Sequence, residues 1–248
     1  MISIIICSVN PVLFARIHAH YAQLLGSEPS EIIGIHNAKG LCEGYNRGLA
    51  QCRGDIVIFS HDDIEIWTPE FTARLKRHME NFDVLGVAGT TKLVGPGWHS
   101  AGRPFTCGQV THPCVGEFQV SYFGAHRRVV ESVQALDGLF LAFRRDVILK
   151  VGWDAENFDG YHCYDVDCSY RAYRMGFRLG VALDLPMMHQ SGGSFDQTWQ
   201  QYAERFMRKH GAHLETLPPR SFQVSAVQVK TREEARALME IYYQRLPE

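Results

Sequence analysis

The strongest constraint on the fold is a repeated alternation of short apolar runs with segments of helical spacing near the amino terminus. The runs at 2–7, 31–36 and 55–60 are rich in β-branched residues, as in strands buried on both faces. Segments 14–25 and 40–51 between them have apolar residues at helical spacing. This order predicts a βαβαβ unit, and hence an α/β fold with a Rossmann-like, mixed but mainly parallel sheet flanked by helices. Such sheets bind ligands at the carboxyl ends of their strands.

The rest of the chain predicts one main domain and a small addition. We expect helices at 69–81, 145–151, 165–175 and 198–210, strands at 84–88, 135–143 and 177–182, and a long loop region with short strands at 92–120. Pro218-Pro219 separates the domain, 1–215, from a strand–helix extension, 216–248, that we expect to pack on it. The alternating strand predicted at 222–229 could pair across a homodimer.

Composition excludes several classes of protein. The formal net charge is -2 and no basic run occurs, which argues against nucleic-acid binding. No apolar run approaches the ~20 residues of a membrane span, although peripheral membrane association stays open. The seven cysteines show no C-x-x-C spacing, which argues against a zinc finger or a thioredoxin and favours a reduced, cytoplasmic protein.

An acidic cluster follows the third predicted strand. His61, Asp62, Asp63 and Glu65 emerge where the sheet opens to ligand, and successive side chains of an extended segment point in alternate directions. Carboxylates this close repel one another unless a cation compensates, and Mg²⁺ or Mn²⁺ fits oxygen ligands. The alternative is an acidic turn in which Asp62 caps the next helix.

A second group of polar residues lies between 159 and 193. Asp165, at a predicted helix start, is either a helix cap or a general base. Asp167 is either a second catalytic carboxylate or the ion-pair partner of Arg171, four positions on. His189 is either a structural histidine or a ligand that completes a metal site.

In this order the motifs resemble those of family-two glycosyltransferases with the GT-A fold, over about residues 1–195. The matching segments are the first strand with Ser8-Val9-Asn10, the helix at 40–55, His61-Asp62-Asp63 at the DxD position, Asp137-Gly138, Asp165-Val166-Asp167 with Arg171 at the "ED" helix, and His189. Three positions depart from the family pattern: His61 replaces the first Asp of DxD, Tyr164 replaces the Glu of "ED", and Asn37 replaces an Asp.

The resemblance implies a glycosyltransferase that uses Mn²⁺ or Mg²⁺ to transfer a sugar from a nucleoside diphosphate-sugar, UDP-sugar favoured, to a glycan or other hydroxyl acceptor with inversion. It implies roles for several groups of residues. These are metal ligands (His61, Asp63, His189), donor-binding residues (Ser8, Val9, Asn10, Asn37, Asn46, Asp62), catalytic carboxylates (Asp165, Asp167) and substrate-binding residues (Trp98, Arg103, Asp137, Gly138).

Two other functions are compatible with this fold. A sugar-nucleotide nucleotidyltransferase would carry a Gly-rich loop with Arg and Lys after the first strand, where this chain has Ser8-Val9-Asn10-Pro11. A non-catalytic nucleotide- or sugar-binding module of a glycan-assembly complex is the third hypothesis, because two acidic positions of the family pattern are replaced.

Overall fold

The computed structural model describes residues 1–193, 195–217 and 224–247. No helix in these ranges is long and apolar enough to span a membrane. The helices are α1 (Pro11–Leu25), α2 (Leu41–Leu49), α3 (Phe71–Met79), α4 (Arg145–Val151), α5 (Tyr164–Arg174), α6 (Gln197–His210) and α7 (Arg232–Arg245).

The strands form two sheets. In chain order they are β1 (Ile2–Cys7), β2 (Ser30–Ile35), β3 (Ile56–Ser60), β4 (Ile64–Ile66), β5 (Val84–Gly86), β6 (Ala88–Thr90), β7 (Thr106–Cys114), β8 (Glu117–Gly124), β9 (Val129–Val130), β10 (Ala135–Leu136), β11 (Phe140–Arg144), β12 (Leu179–Ala182), β13 (Met187–His189) and β14 (Ser225–Val229).

The first sheet confirms the predicted mixed architecture. Its strand order is β2-β1-β3-β11-β5-β12-β9, in which β1 pairs in parallel with both β2 and β3. Ile4 lies opposite Ile32 on one side and Ile58 on the other, so the three strands end at nearly the same level. β11 runs antiparallel to β3 and β5. The carboxyl ends of β1, β2 and β3 therefore form one edge of the sheet.

The second sheet occupies much of the region expected to be loop. Its order is β10-β6-β7-β13-β4, and β8 extends it by pairing with β7. The prediction of a loop region with short strands holds for 92–105 but was wrong for 106–120, where β7 and β8 form a long hairpin. Gly108, with φ of +121°, and a register shift beside it interrupt the β7 alternation, and Pro113 lies near the strand end. These irregularities hid the strand period in the sequence.

Two segments that were each predicted as one strand instead cross between the sheets. The segment at 84–88 divides into β5 of the first sheet and β6 of the second, and the segment at 135–143 divides into β10 and β11. The second crossing passes through Asp137 and Gly138. These residues are thereby placed at the junction of the two sheets.

The carboxyl-terminal strand pairs within its own chain. β14 lies antiparallel to β8, with Val227 opposite Val120. α7 begins with a capping box between Thr231 and Glu234, and it buries Ala235 and Met239 against Trp67 and Val120. The Pro218-Pro219 boundary and residues 222–223 lie outside the described ranges.

Helix α2 packs closely on β1 through two glycines. A Cβ atom on Gly44 would lie 2.5 Å from Sγ of Cys7, and one on Gly48 would overlap Cγ2 of Ile5. The close approach fixes α2 against the strand that leads to Ser8. The glycines are thus required by packing and lower the intrinsic helix propensity.

Replacing Gly48 with alanine should therefore destabilise the protein, although alanine is the better helix former. Overpacking against Ile5 costs about 1–3 kcal/mol, which exceeds the propensity gain of up to about 1 kcal/mol. Urea unfolding measures the difference. Gly95→Ala is the control, since a Cβ there meets nothing within 4 Å. A G48A variant as stable as G95A would contradict the packing account.

Candidate active site

A cavity of about 350 Å³ opens at the junction of the two sheets. Its walls combine imidazole, carboxylate and aromatic side chains from β7, β8, the β10–β11 crossing, the start of α5 and the segment before α6. His61, His189, Asp137 and Asp165 all line it, and its described lining contains neither lysine nor arginine.

The structure brings the three predicted metal ligands together, and two of them, His61 and His189, lie on one wall of this cavity. His61 follows β3, and its backbone N–H donates to the Leu139 carbonyl at 3.1 Å. His189 is the last residue of β13. This strand pairs with β4, which begins at the residue after Asp63. Nδ1 of His61 lies 3.2 Å from Nε2 of His189, although the residues are 128 positions apart. Oδ1 of Asp63 lies 3.2 Å from Nε2 of His189 and 3.9 Å from Nδ1 of His61.

The electrostatics of His61 and Asp63 favour the protonation states that bind metal. Burial, with the neighbouring His189, lowers the pKa of His61 to about 4, so its ring is neutral near pH 7. Burial opposes ionisation of Asp63, but hydrogen bonds from His189 and Ser191 outweigh it and hold the pKa of Asp63 below its usual range. A neutral imidazole and an ionised carboxylate are the ligating forms.

The donor atoms fit a single first-row transition ion. Two ligands bound about 2.1 Å from one ion, at angles between octahedral and tetrahedral values, lie roughly 3.0–3.4 Å apart. The observed separations of 3.2, 3.2 and 3.9 Å are close to that range. Two imidazoles and one carboxylate suit such an ion better than Mg²⁺, which prefers oxygen ligands and keeps several waters.

Asp165 lies on another wall of the cavity, in the first turn of α5. Its Oδ2 accepts a 2.9 Å hydrogen bond from the Gly138 N–H. Burial and the neighbouring Asp137 raise the pKa of Asp165 to about 7. Asp137 is itself held by the Trp98 indole N–H at 2.7 Å and the Leu139 N–H at 3.0 Å. A carboxyl with a pKa near neutrality can serve as a general base.

Asp167 occupies a different environment, and the catalytic role predicted for it does not fit its geometry. It is fully buried, lines no part of the cavity, and accepts hydrogen bonds from Arg171 at 2.8 Å, Lys209 at 2.6 Å and His210 at 2.7 Å. The ion pair with Arg171, weighed as the alternative, is present. Asp167 joins α5 to α6 through its bonds to Lys209 and His210, which is a structural role.

The predicted donor-binding residues at the ends of β1–β3 lie together outside this cavity. The Ser8 hydroxyl donates to Oδ2 of Asp62 at 2.5 Å, so Asp62 and Asp63 do point in different directions. Val9 is exposed, while the Asn10 side chain caps α1 by accepting from the N–H groups of residues 12 and 13. Asn37 is exposed and accepts from Arg47 at 2.6 Å.

The side chains of two predicted ligand-binding residues are hydrogen-bonded to other parts of the protein. Both polar groups of the Asn46 amide bond the Trp153 backbone, at 2.8 and 3.2 Å, which does not support donor binding. The Arg103 guanidinium donates to the Tyr122 carbonyl at 2.9 Å and the Ser225 hydroxyl at 3.0 Å, and it is not part of the cavity wall. Arg103 instead ties β8 to β14.

Residues 3–210 match a glycosyltransferase-like family. The chain belongs to that family. A protein of Fuscovulum blasticum named "ATP synthase subunits region ORF 6" is 27% identical over 172 residues, which are 65% of this chain and 62% of that protein. This chain thus matches less than two thirds of that curated relative.

A solved structure shares the fold at low sequence identity. The mannosyltransferase PcManGT from Pyrobaculum calidifontis, in complex with GDP-Man and Mn²⁺, is 11% identical, with a TM-score of 0.54 over 98% of this chain and 70% of that chain. S. aureus TarS in complex with UDP-GlcNAc is 13% identical over 78% of this chain and 59% of that chain, at a TM-score of 0.48, too low to bear on the fold.

Several cavity residues of this glycosyltransferase-like protein were missed by the sequence analysis. Nδ1 of His112 lies 3.1 Å from the His189 carbonyl oxygen, but His112 lies in the region interpreted as loop. Tyr164 was noted only as a replacement for Glu, yet its hydroxyl lies 2.7 Å from Nε2 of His61. Aromatic residues complete the lining: Phe123, Tyr161, Phe195 and Trp199. No family motif marks these four, and only the fold brings them together.

We expect Asp167→Ala to destabilise the protein by about 3 kcal/mol, because it removes a fully buried carboxylate that bonds the half-buried Arg171 and Lys209 and the buried His210 ring. Chemical denaturation measures the loss. Asp146→Ala, on the exposed face of α4, is the control and should change stability by less than about 0.5 kcal/mol. A folded D167A protein with wild-type stability that had lost only activity would restore the catalytic role.

Proposed function

We propose that the chain is a metal-dependent glycosyltransferase that transfers a sugar from a nucleoside diphosphate-sugar to an acceptor hydroxyl. The observation that carries this proposal is that His61 and His189, two of three converged metal ligands, share one cavity with Asp165, a carboxyl of near-neutral pKa. Family membership and the fold shared with a mannosyltransferase that binds GDP-Man and Mn²⁺ support it.

The charge of the cavity supports a role for metal in binding the donor. A diphosphate needs positive charge or many donors, and the described lining offers neither lysine nor arginine. His61, Asp63 and His189 would hold the ion, and Mn²⁺ suits this donor set better than Mg²⁺. When bound, a divalent ion supplies Lewis-acid neutralisation of the departing diphosphate.

The donor nucleoside is proposed to lie at the ends of β1–β3. Ser8 and Asp62 are already hydrogen-bonded there, and Val9 and Asn37 are exposed beside them. The resemblance favours a UDP-sugar. All seven cysteines are free thiols, which fits a reducing, cytoplasmic location.

Asp165 is proposed to accept the proton of the incoming hydroxyl. The Gly138 N–H orients its carboxylate, and the charge of Asp137 raises its basicity. A single displacement with Asp165 as base would invert the anomeric configuration. Asp137 and Trp98, hydrogen-bonded to each other, stand beside the reacting hydroxyl as positioning groups.

The acceptor is proposed to be an uncharged compound with exposed C–H faces, such as a neutral glycan. Phe195 and Tyr161 are 57% and 56% exposed, although they are large aromatic residues on the cavity wall. Trp98 packs edge-on against Phe123 at 4.9 Å and presents a further ring. Aromatic faces pack against apolar sugar surfaces, whereas an anionic acceptor would meet Asp137 and Asp165 with no cationic side chain in the described lining.

Replacing Asp165 with asparagine tests the proposal. The amide keeps the shape but cannot accept the proton, so kcat should fall about 10²–10⁴-fold while nucleotide affinity stays within about twofold. Sugar transfer and donor hydrolysis are measured with Mn²⁺ and a panel of UDP- and GDP-sugars. Asp146→Asn, an exposed carboxylate outside the cavity, is the control. Turnover retained by D165N would refute the base role, and tight nucleotide binding without hydrolysis by the wild type would favour a non-catalytic module.

The rate of sugar transfer should also increase with pH. Burial and Asp137 raise the pKa of Asp165 to about 7, so below that pH the carboxyl is protonated and cannot act as a base. We therefore expect kcat to rise about tenfold per pH unit below 7 and to level off above it. A profile measured from roughly pH 5 to 9 should show this inflection in the wild type and lose it in D165N. A flat wild-type profile would contradict the assignment.

A further inference from the structure

The two acidic positions at which this chain departs from the family-two pattern are in direct contact. His61 stands at the first Asp of DxD and Tyr164 at the Glu of "ED". Oη of Tyr164 lies 2.7 Å from Nε2 of His61, although the residues are 103 positions apart. Two carboxylates at that distance would repel, whereas an imidazole and a phenol form a neutral donor–acceptor pair.

We propose that Tyr164 is a positioning residue that holds His61 in the tautomer and orientation needed to bind the metal ion. The inference rests on the proposed function, since it assigns His61 as a ligand. Nδ1 of His61 faces Asp63 and His189, so this nitrogen must carry the lone pair when His61 binds the metal ion. The proton then resides on Nε2, which donates it to Oη of Tyr164.

The surroundings of Tyr164 fix its hydroxyl in that place. The side chain is 4% exposed and packs against Tyr45 and Trp153, with ring centroids 6.1 and 5.9 Å away. Oη also donates to the Gly138 carbonyl at 3.4 Å. A phenol oxygen can accept one hydrogen bond while donating its own proton, so both contacts coexist.

Gly138 and Cys163 show that the backbone is shaped around this hydroxyl. A Cβ atom on Gly138 would overlap Oη of Tyr164 and lie 2.9 Å from Cβ of Asp165, so only glycine fits there. Cys163 adopts a left-handed conformation, with φ of 58°, directly before Tyr164. For a residue with a side chain this conformation is uncommon and costs about 1 kcal/mol or more. After this turn, the Tyr164 hydroxyl contacts His61 and the Asp165 carboxylate accepts from the Gly138 N–H.

Tyr164 therefore connects the metal ligands to the proposed base. The Gly138 peptide accepts from Tyr164 through its carbonyl and donates to Asp165 through its N–H. Adjacent residues of α5 thus hold a metal ligand and supply the carboxylate that accepts the proton.

Binding of Mn²⁺ to the full chain tests this inference, with free Mn²⁺ followed by electron paramagnetic resonance, alone and with UDP or GDP. Tyr164→Phe keeps the ring and removes only the hydroxyl. We expect its dissociation constant for Mn²⁺ to rise about 10–100-fold. Tyr45→Phe is the matched control, because Tyr45 lies in the same aromatic cluster and its buried hydroxyl has no hydrogen-bond partner among the described residues. Y45F should bind Mn²⁺ within about twofold of the wild type.

A double-mutant cycle separates positioning from a general structural role. If Tyr164 acts through His61, Tyr164→Phe should change Mn²⁺ affinity less than about twofold in a His61→Ala background. Wild-type affinity in Y164F, or an equal loss with and without His61, overturns the inference and leaves the metal site standing. A wild-type protein that binds no Mn²⁺ under any condition overturns the proposed metal dependence, and this inference with it.

Discussion

The convergence of His61, Asp63 and His189 is the constraint on which the rest of the site depends. Asp63 keeps its charge in a half-buried position because His189 and Ser191 hydrogen-bond it. Desolvating an anion next to two imidazoles is unfavourable unless donors or a cation compensate. Both sheets are needed for this arrangement, since β3 delivers His61 and the pairing of β13 with β4 delivers His189.

Asp165 and Asp167 lie only two positions apart, but their surroundings shift their pKa values in opposite directions. Burial and Asp137 raise the pKa of Asp165, which leaves it able to exchange a proton near neutrality. Burial acts in the same direction on Asp167, but His210, Arg171 and Lys209 outweigh it and lower the pKa of that carboxyl. Asp165 faces the cavity, whereas Asp167 holds α5 and α6 together. Neighbouring carboxyls with pKa values pushed apart have distinct roles.

Much of the first sheet was predictable because each element carries its own local signal. The strand at 2–7 was predicted with its observed bounds, and the βαβαβ order followed from β-branched runs and helical spacing. The hairpin of β7 and β8 was not predictable in this way, since Gly108 and Pro113 break the alternation and tertiary pairing overrides local preference. A segment that passes from one sheet to the other, as at Asp137, has no alternation of apolar and polar residues by which the sequence could reveal it.

The site residues also differ in whether a local sequence signal marks them. His61, Asp63, Asp165 and His189 could be proposed from the sequence because they lie at strand ends and a helix start, where motifs have fixed order, and the structure brings His61, Asp63 and His189 together. Asp167 could not be assigned from spacing alone, because its partners Lys209 and His210 come from a distant helix. The contact between Tyr164 and His61 depends on the fold, and so do the aromatic walls.

The proposed chemistry depends on one cation bound by His61, Asp63 and His189. Anomalous diffraction from a crystal soaked with Mn²⁺ and a nucleoside diphosphate tests this directly. We expect a manganese peak within about 2.5 Å of Nδ1 of His61, Oδ1 of Asp63 and Nε2 of His189, with the diphosphate on its open side. Bound nucleotide with no manganese among these three side chains, or manganese elsewhere, would contradict it.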